Sequence, residues 1–384
     1  MIDAPAPVSI RRAWIAVAGM FALNGALFGI WASRVPAIAD RHGLDHGALG
    51  LLLLFLAGGA VCSFPLAGRA ADRFGAAATT RVLALVYPLG LILLPLMPGP
   101  VSLAGALFVF GALHGAMDVA MNGWGAEVER RYRRPVMSSF HALFSLGAGL
   151  GAFSGYVAAG TEMSILAHFA TTAAVATVPA VLLARVSWAS PRTASAAGSV
   201  FALPSGALLL VGVVAFCASL GEGAMADWSA VFLRDVTGAD ESTAALGYAA
   251  FSAAMVAVRL MGDVAIRWLG VAATARAGGI CAAIGAALAV ASPGAGAVLA
   301  GFALMGVGYA TIMPLAFSRA ANDPAIPQGR AIASVATLAY GGMLLGPPVI
   351  GLLAGMTSLQ VSFGLLVGLA LVVAGLAGAL RRPV

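Results

Sequence analysis

The chain contains no lysine: all 21 basic residues among its 384 are arginine. A Walker phosphate loop requires a lysine, so ATP hydrolysis by that route is excluded. Charge of either sign is scarce, with 9% charged residues against 61% hydrophobic ones. Soluble domains carry about 25% charged residues. At the lower figure a water-soluble globule of this length could not cover its own surface. A soluble enzyme, a disordered chain and a nucleic-acid binder are all excluded. Cysteine is nearly absent. Cys62, Cys217 and Cys281 lie in apolar runs with no CxxC or other metal spacing, so neither a disulfide framework nor a metal site is expected. No HExxH, GxSxG or Cys/His cluster is present. The expectation is a non-enzymatic chain without metal or cofactor.

What fills the sequence instead is long apolar runs. A membrane helix needs about 20 mostly apolar residues to cross about 30 Å of hydrocarbon. Twelve runs qualify: 12–33, 47–68, 78–97, 101–126, 136–160, 164–184, 206–233, 243–264, 271–291, 294–318, 330–354 and 359–380. Turn residues or charge separate them, as at Arg34-Val-Pro36, Met97-Pro98-Gly99-Pro100 and Asn322-Asp323-Pro324. The first run is longer than a signal peptide's apolar core, so it reads as a retained span.

Arginine placement tests this count. With both termini cytoplasmic, 18 of the 21 arginines face the cytoplasm, Arg259 among them, and only Arg34, Arg41 and Arg234 fall outside. That is the asymmetry of the positive-inside rule. The net charge of +6 therefore encodes orientation and gives no support to a nucleic-acid partner.

A repeat divides the chain. Gly68-Arg69-Ala70-Ala71-Asp72-Arg73-Phe74-Gly75, with Arg81 six residues on, follows the second run. Gly262-Asp263-Val264-Ala265-Ile266-Arg267-Trp268-Leu269-Gly270, with Arg276 six residues on, follows the eighth. The two turn glycines are 195 residues apart, about half the chain. Two six-helix repeats are the layout of a parallel-repeat transporter. The halves are 1–186 and 206–384, and the Ser-, Ala- and Pro-containing stretch 187–205 is the linker.

The Gly68–Arg81 stretch matches the hallmark loop between helices two and three of the major facilitator superfamily, which the whole chain resembles. That resemblance implies an all-α integral membrane fold of twelve transmembrane helices in two six-helix pseudo-repeats. It also implies alternating access with no cofactor beyond a proton gradient. Asp72, with Arg73, Gly75 and Arg81, would act at a cytoplasmic gate, and Asp263 and Arg267 would do so by repeat. Ala76-Ala77 stand where the family usually has a basic residue.

Ionisable residues inside spans are costly and default to functional candidates. The fourth run carries His114, Asp118 and Asn122 at i, i+4 and i+8, on one helix face. Asp118 lies about 12 Å deep at 1.5 Å per residue, where a carboxylate can take up and release a proton as its cavity opens and closes. His141, in the fifth run, sits at a depth that allows it to meet Asp118. Gly147, Gly151 and Gly155 follow in tandem GxxxG steps that permit close helix approach. The seventh run holds Glu222 and Asp227 beside Trp228; the alternatives for them are cavity lining or a structural ion pair. Asn24, Phe28 and Trp31 share a face of the first run. Trp31 and Trp228 read either as a stacking platform or as interfacial belt residues. Arg34 reads as an exposed loop charge or, alternatively, an anion clamp.

Within the superfamily, Asp118-Val-Ala-Met-Asn122 and Phe140-His141 are similar to the fucose permease branch of sugar–proton symporters. That implies Asp118 as substrate and proton ligand and His141 as substrate ligand, with His141 replacing an Asn. The Gly-x-x-x-Gly-Pro pattern of drug antiporters is missing from the fifth run and occurs instead at Gly342–Pro347. The expected function is proton-coupled transport of a small polar solute, a sugar or related metabolite. Asp118, Asn122, His141, Glu222, Asn24 and Asp227 form the substrate and proton site. The expected setting is a bacterial-type inner membrane, with the lipid bilayer as partner and the chain a monomer. A drug or metabolite efflux antiporter and a non-transporting receptor are the alternatives.

Overall fold

The computed structural model describes residues 9–133, 136–191, 203–326 and 328–381, without the side chains of residues 262–265 and 328–329. The described residues are almost wholly helical. In the first half are α1 (Ile10–Ser33), α2 (Val35–Arg41), α3 (His46–Phe74), α4 (Ala76–Leu93), α5 (Pro100–Tyr132), α6 (Met137–Gly160) and α7 (Ile165–Leu183). In the second are α8 (Ala207–Thr237), α9 (Glu241–Leu269), α10 (Val271–Ala291), α11 (Ala295–Tyr309), α12 (Ile312–Ala321), α13 (Gln328–Met356) and α14 (Leu359–Leu376).

Twelve spans are long and apolar enough to cross a bilayer, matching the twelve apolar runs; α11 and α12 together make the tenth, Ala295–Ala321. Large side chains such as Leu66, Val82, Val175 and Leu260 are exposed. In water they would be a liability; against lipid tails they are the matching surface.

Local chemistry sets the helix ends. Ser164, Asp240 and Ser358 accept backbone N–H bonds from Ala167, Thr243 and Val361, capping α7, α9 and α14. Glu129 Oε2, near the end of α5, accepts from the amides of Val136 and Met137 at 2.7 and 2.9 Å, and so caps α6 from outside. Gly238, in the left-handed region, ends α8. The stretch Arg34-Val-Pro36, expected as a simple break, instead opens the two-turn helix α2, whose early proline suits a helix start.

The hallmark stretches differ most from a loop. Residues 68–74 belong to the last turns of α3, and α4 begins at Ala76. The connection is Gly75 alone, at φ 93° and ψ 141°. Gly270 alone joins α9 to α10, at φ 79° and ψ 162°. Both lie in a region that side chains rarely adopt. The hydrogen bonds also repeat. Gly75 N–H donates to Ala71 O and Gly270 N–H to Ile266 O; Thr79 and Thr274, each through its amide and its hydroxyl, donate to the glycine carbonyl four residues earlier.

Two compact units emerge. The first comprises Met1–Trp31, Phe55–Gly151 and Met163–Ala197; the second comprises Ala32–Leu54, Ala152–Glu162 and Gly198–Val384. In the first, a Cβ added at Gly147 or Gly151 would collide with the carbonyl of Ala22 or Ala26 on α1. This is the close approach expected of those glycines. In the second, α8 packs along α13 and α9, and α10 packs on α11 and α14. There a Cβ added at Gly50 of α3 would lie 2.8 Å from Gly351 Cα of α13, so side-chain-free faces meet.

Candidate functional site

The first unit places a polar cluster inside its helices. Asn24 on α1 is fully buried, and its amide oxygen lies 3.0 Å from His114 Nδ1 on α5. An amide oxygen only accepts, so His114 carries its proton on Nδ1 here. The same Nδ1 is 3.1 Å from the hydroxyl of Tyr87 on α4, and Phe28 stacks on the ring at 4.8 Å between centroids. The Asn24 amide nitrogen faces the sulfur of Met121 at 3.6 Å. One turn further along α5, Asn122 Nδ2 donates to Asp118 Oδ1 at 3.1 Å and to Asp118 O at 2.8 Å. The i, i+4 pair read from the sequence is thus joined directly. Asp118 is half-buried and His141 exposed, the latter edge-on to Phe21. Trp31 is fully buried and is not a belt residue. Tyr87 was not anticipated as a partner of His114; a lone tyrosine in an apolar run carries no spacing that points to a histidine 27 residues away.

The second unit holds another cluster. Glu222 on α8 and Arg259 on α9 pair at 3.7 Å, with side chains 17% and 11% exposed. Arg259, counted among cytoplasmic arginines by sequence and lying within the eighth run, sits two residues before the end of the eighth span, Glu241–Met261. Arg259 Nε also donates to the carbonyl of Ala310 at 3.3 Å. Ala310 and Thr311 interrupt the tenth span. Pro314 explains the gap, since it lacks the N–H that would bond the carbonyl four residues back, which is that of Ala310. Tyr309 is fully buried, and a Cβ added at Gly221 would lie 2.5 Å from its hydroxyl. Neither the Tyr309 hydroxyl nor Glu222 Oε1 has a hydrogen-bond partner among the described residues. Asp227 is buried, and the Trp228 indole next to it donates to Pro347 O at 3.0 Å. Trp228, too, is fully buried and not a belt residue.

Also within the second unit, segments distant in sequence meet through charge. Arg34 is 4% exposed and pairs with Glu241 at 3.1 Å, which overturns its reading as an exposed loop charge. Burial pulls this guanidinium below its usual range, with the Glu241 charge opposing. Arg234 binds Asp40 at 2.6 Å and the Pro36 carbonyl at 2.9 Å. Asp235 accepts from Arg234 at 2.6 Å and lies 2.8 Å from His46 Nε2.

Of the residues assigned to gating, Arg81 is the most firmly held. It donates to the carbonyls of Ala184 and Val186 at 2.9 and 2.6 Å and lies over the Trp124 ring at 5.0 Å. These bonds fasten the strap that leaves α7. Trp188 and Ser190 in that strap both donate to Glu127 Oε2 at 2.7 Å, and Ser190 Oγ accepts from Ala77 N at 3.0 Å. Arg131 covers Trp188 at 5.1 Å. Asp72 is half-buried, while Arg73 and Arg267 are exposed. The side chain of Asp263 and linker residues 192–202 lie outside the described residues.

The sequence profile of the Major Facilitator Superfamily matches residues 13–328. The transporter y4wD of Sinorhizobium fredii is 47% identical over 96% of this chain and 98% of its own length. An MFS-type transporter of Yersinia pestis is 38% identical over 94% of each. Among solved structures, the nucleoside transporter NupG in a D323A mutant form superposes with a TM-score of 0.74 at 14% identity, covering 97% of this chain and 100% of that one. At that identity the likeness is one of fold.

Proposed function

The chain belongs to the major facilitator superfamily, and from that premise we propose that it is a proton-coupled secondary transporter of a small polar solute. A sugar or related metabolite fits the polar cluster and the pattern shared with the fucose permease branch. The reading places it in a bacterial inner membrane as a monomer, arginine-rich loops and both termini cytoplasmic. Residues 1–186 and 206–384 are the alternating-access halves, joined by 187–205.

The observation that carries the proposal is the Asp118 carboxylate inside a span, hydrogen-bonded by Asn122 and one turn from the Asn24–His114–Tyr87 network. A carboxylate kept at that depth is costly, and reversible protonation gives it a use. His141, Glu222 and Asp227 supply further hydrogen bonds or protonation. Asp72, Arg73, Gly75 and Arg81, with Asp263 and Arg267 in the second copy, serve the cytoplasmic gate.

Uptake by energised inverted and right-side-out vesicles, screened over sugars and polyols with wild type and Asp118→Asn, tests the reading. Wild type is expected to respond to an imposed pH gradient and the variant to lose that response. Equal pH-dependent uptake by both would remove Asp118 from the coupling role.

A further inference from the structure

We infer that His114 is a solute ligand: its Nε2, held as an uncharged acceptor, takes a hydrogen bond from a hydroxyl of the transported sugar or polyol, and Asn24 and Tyr87 are the positioning residues that hold it so. This rests on the transport reading above and adds the polarity of the contact, an acceptor on the protein meeting a donor on the solute.

Three observations converge. First, the ring is pinned. Nδ1 lies 3.0 Å from the Asn24 amide oxygen and 3.1 Å from the Tyr87 hydroxyl, and Phe28 stacks on one face at 4.8 Å between centroids. Asn24 and Tyr87 are themselves fully buried. The Asn24 amide is committed at both ends, its oxygen to His114 and its nitrogen to the sulfur of Met121. Second, the pinning decides the tautomer, because the bond at one ring nitrogen sets the protonation of the other. With the proton on Nδ1, Nε2 carries a lone pair. Nε2 makes no hydrogen bond among the described residues, yet it is not sealed in, unlike the unpaired indole nitrogens of Trp31 and Trp124. Third, His114 stands near the middle of the 33-residue α5, at the depth where secondary transporters bind solute. His114, Asp118 and Asn122 form a half-buried stripe along α5, whereas Met117, Met121 and Trp124 beside it are fully buried. That stripe is the part-open face of the helix.

A lone pair selects a donor. No carboxylate bonds the ring among the described residues, so a second proton would leave a charge within a span without a bonded counter-ion, which is costly. The uncharged ring gives a carboxylate nothing to bind, and two facing lone pairs repel. A hydroxyl on the solute supplies the missing proton. An acceptor left unpaired inside the protein costs free energy that a matched donor recovers, and a site built to bond a hydroxyl rejects the analogue that lacks it. The next groups on the stripe favour donors as well: Asn122 Nδ2 is committed to Asp118, which leaves the Asn122 amide oxygen as the end that accepts. Phe28 and Phe144 flank the imidazole, and an apolar collar strengthens a hydrogen bond made inside it. The labour is thereby divided along α5. His114 recognises a hydroxyl and moves no proton, while proton coupling stays with Asp118 one turn away.

The test uses the full chain, purified in detergent and in proteoliposomes. Diethyl pyrocarbonate acylates the lone pair of an uncharged imidazole, and mass spectrometry reads each histidine by itself. His114 is expected to react, and the fully buried His168 to stay unmodified. Galactose, glucose and ribose serve as probes, each beside its single-deoxy and deoxyfluoro analogues. At least one sugar is expected to slow acylation of His114, with one hydroxyl position at which the deoxy and deoxyfluoro analogues both bind about tenfold more weakly. Fluorine keeps the size of the hydroxyl and lacks its proton, so this comparison separates an acceptor on the protein from a donor. His114→Leu should bind the sugar and both analogues at that position alike. Asn24→Leu, which frees Nδ1, should narrow the discrimination at that position and leave it unchanged at the others, a pattern that general loosening of the fold does not produce. Acylation and protection in wild type need no variant, so the test stays decisive if either variant fails to fold. His114 as inert as His168, no protection by any of the three sugars, a deoxyfluoro analogue that binds like its parent where the deoxy analogue does not, or unchanged discrimination in His114→Leu overturns the inference. Unchanged discrimination in Asn24→Leu overturns the positioning role of Asn24. If no sugar protects His114 while a pH gradient still drives uptake that Asp118→Asn abolishes, this inference falls and the transport reading stands. If a sugar protects His114 as expected but no gradient drives its uptake, the transport reading falls and the His114 contact stands.

Discussion

Gly75 and Gly270 turn the chain in the same way, yet among the described residues one turn is tied down and the other is not. Each joins two membrane helices with one residue at positive φ, and each has a threonine four residues on that bonds the glycine carbonyl. Around Gly75 the strap leaving α7 is fastened by Arg81, Glu127 and Ala77 N, and a Cβ on the glycine would meet Ser190 Cβ at 2.8 Å. Around Gly270 an added Cβ meets nothing within 4 Å among the described residues, and Arg276, the counterpart of Arg81, is exposed. The backbone device was duplicated with the repeat. Among the described residues, only the first copy anchors a following segment, the one that leads out of α7.

The largest test of this contrast is Gly75→Ala against Gly270→Ala. Both incur backbone strain of about 1–3 kcal/mol, but the first also displaces Ser190. Gly75→Ala is expected to lower the apparent Tm of the purified protein clearly more, by about 1 kcal/mol of additional destabilisation for the tight contact. Equal losses would show the strap yields freely. Next comes Arg81→Ala against Arg276→Ala. Losing charge-assisted bonds to two carbonyls and a cation–π contact in a half-buried setting should cost about 2 kcal/mol, whereas an exposed arginine should stay within about 0.5 kcal/mol. Amide exchange across residues 184–191 should quicken only in Arg81→Ala. Glu127→Gln is smaller, about 1 kcal/mol, because both Trp188 and Ser190 donate to one carboxylate oxygen, and an amide oxygen can still accept from both with only the charge assistance lost; it should speed exchange at the strap and leave α10 unchanged. The smallest effect is Thr79→Val and Thr274→Val, each costing about 0.5 kcal/mol and equal to the other. Unequal losses there would break the claim that the two backbones are equivalent.

How much of this was legible in the sequence depends on the range of the physics involved. Spans follow from local apolar length, so all twelve could be read. The Asp118–Asn122 bond follows from helical spacing, and the close approach of Gly147 and Gly151 to α1 from absent side chains. The duplicated glycines were visible as a repeat, but the stretch 68–81 looked like a loop because Asp72, Arg73 and Arg69 are polar; polarity at a helix end is compatible with about two more helical turns. Arg34 was misread for a related reason. A composition rule assigns arginine to water, and only tertiary structure reveals Glu241 as its partner. The pairing of Tyr87 with His114 depends on helices that pack together across a long sequence separation, where no periodicity points.

A connection of a single residue leaves no slack in chain length. In an α-helix each residue advances the azimuth by about 100°, so inserting or deleting one position within α4 between Ala76 and Tyr87 would turn the two ends of the helix by that angle and carry Tyr87 away from His114. At Gly75, where the strap residue Ser190 also closes over the turn, an inserted epitope tag or a permuted terminus is therefore expected to disturb both helices it joins.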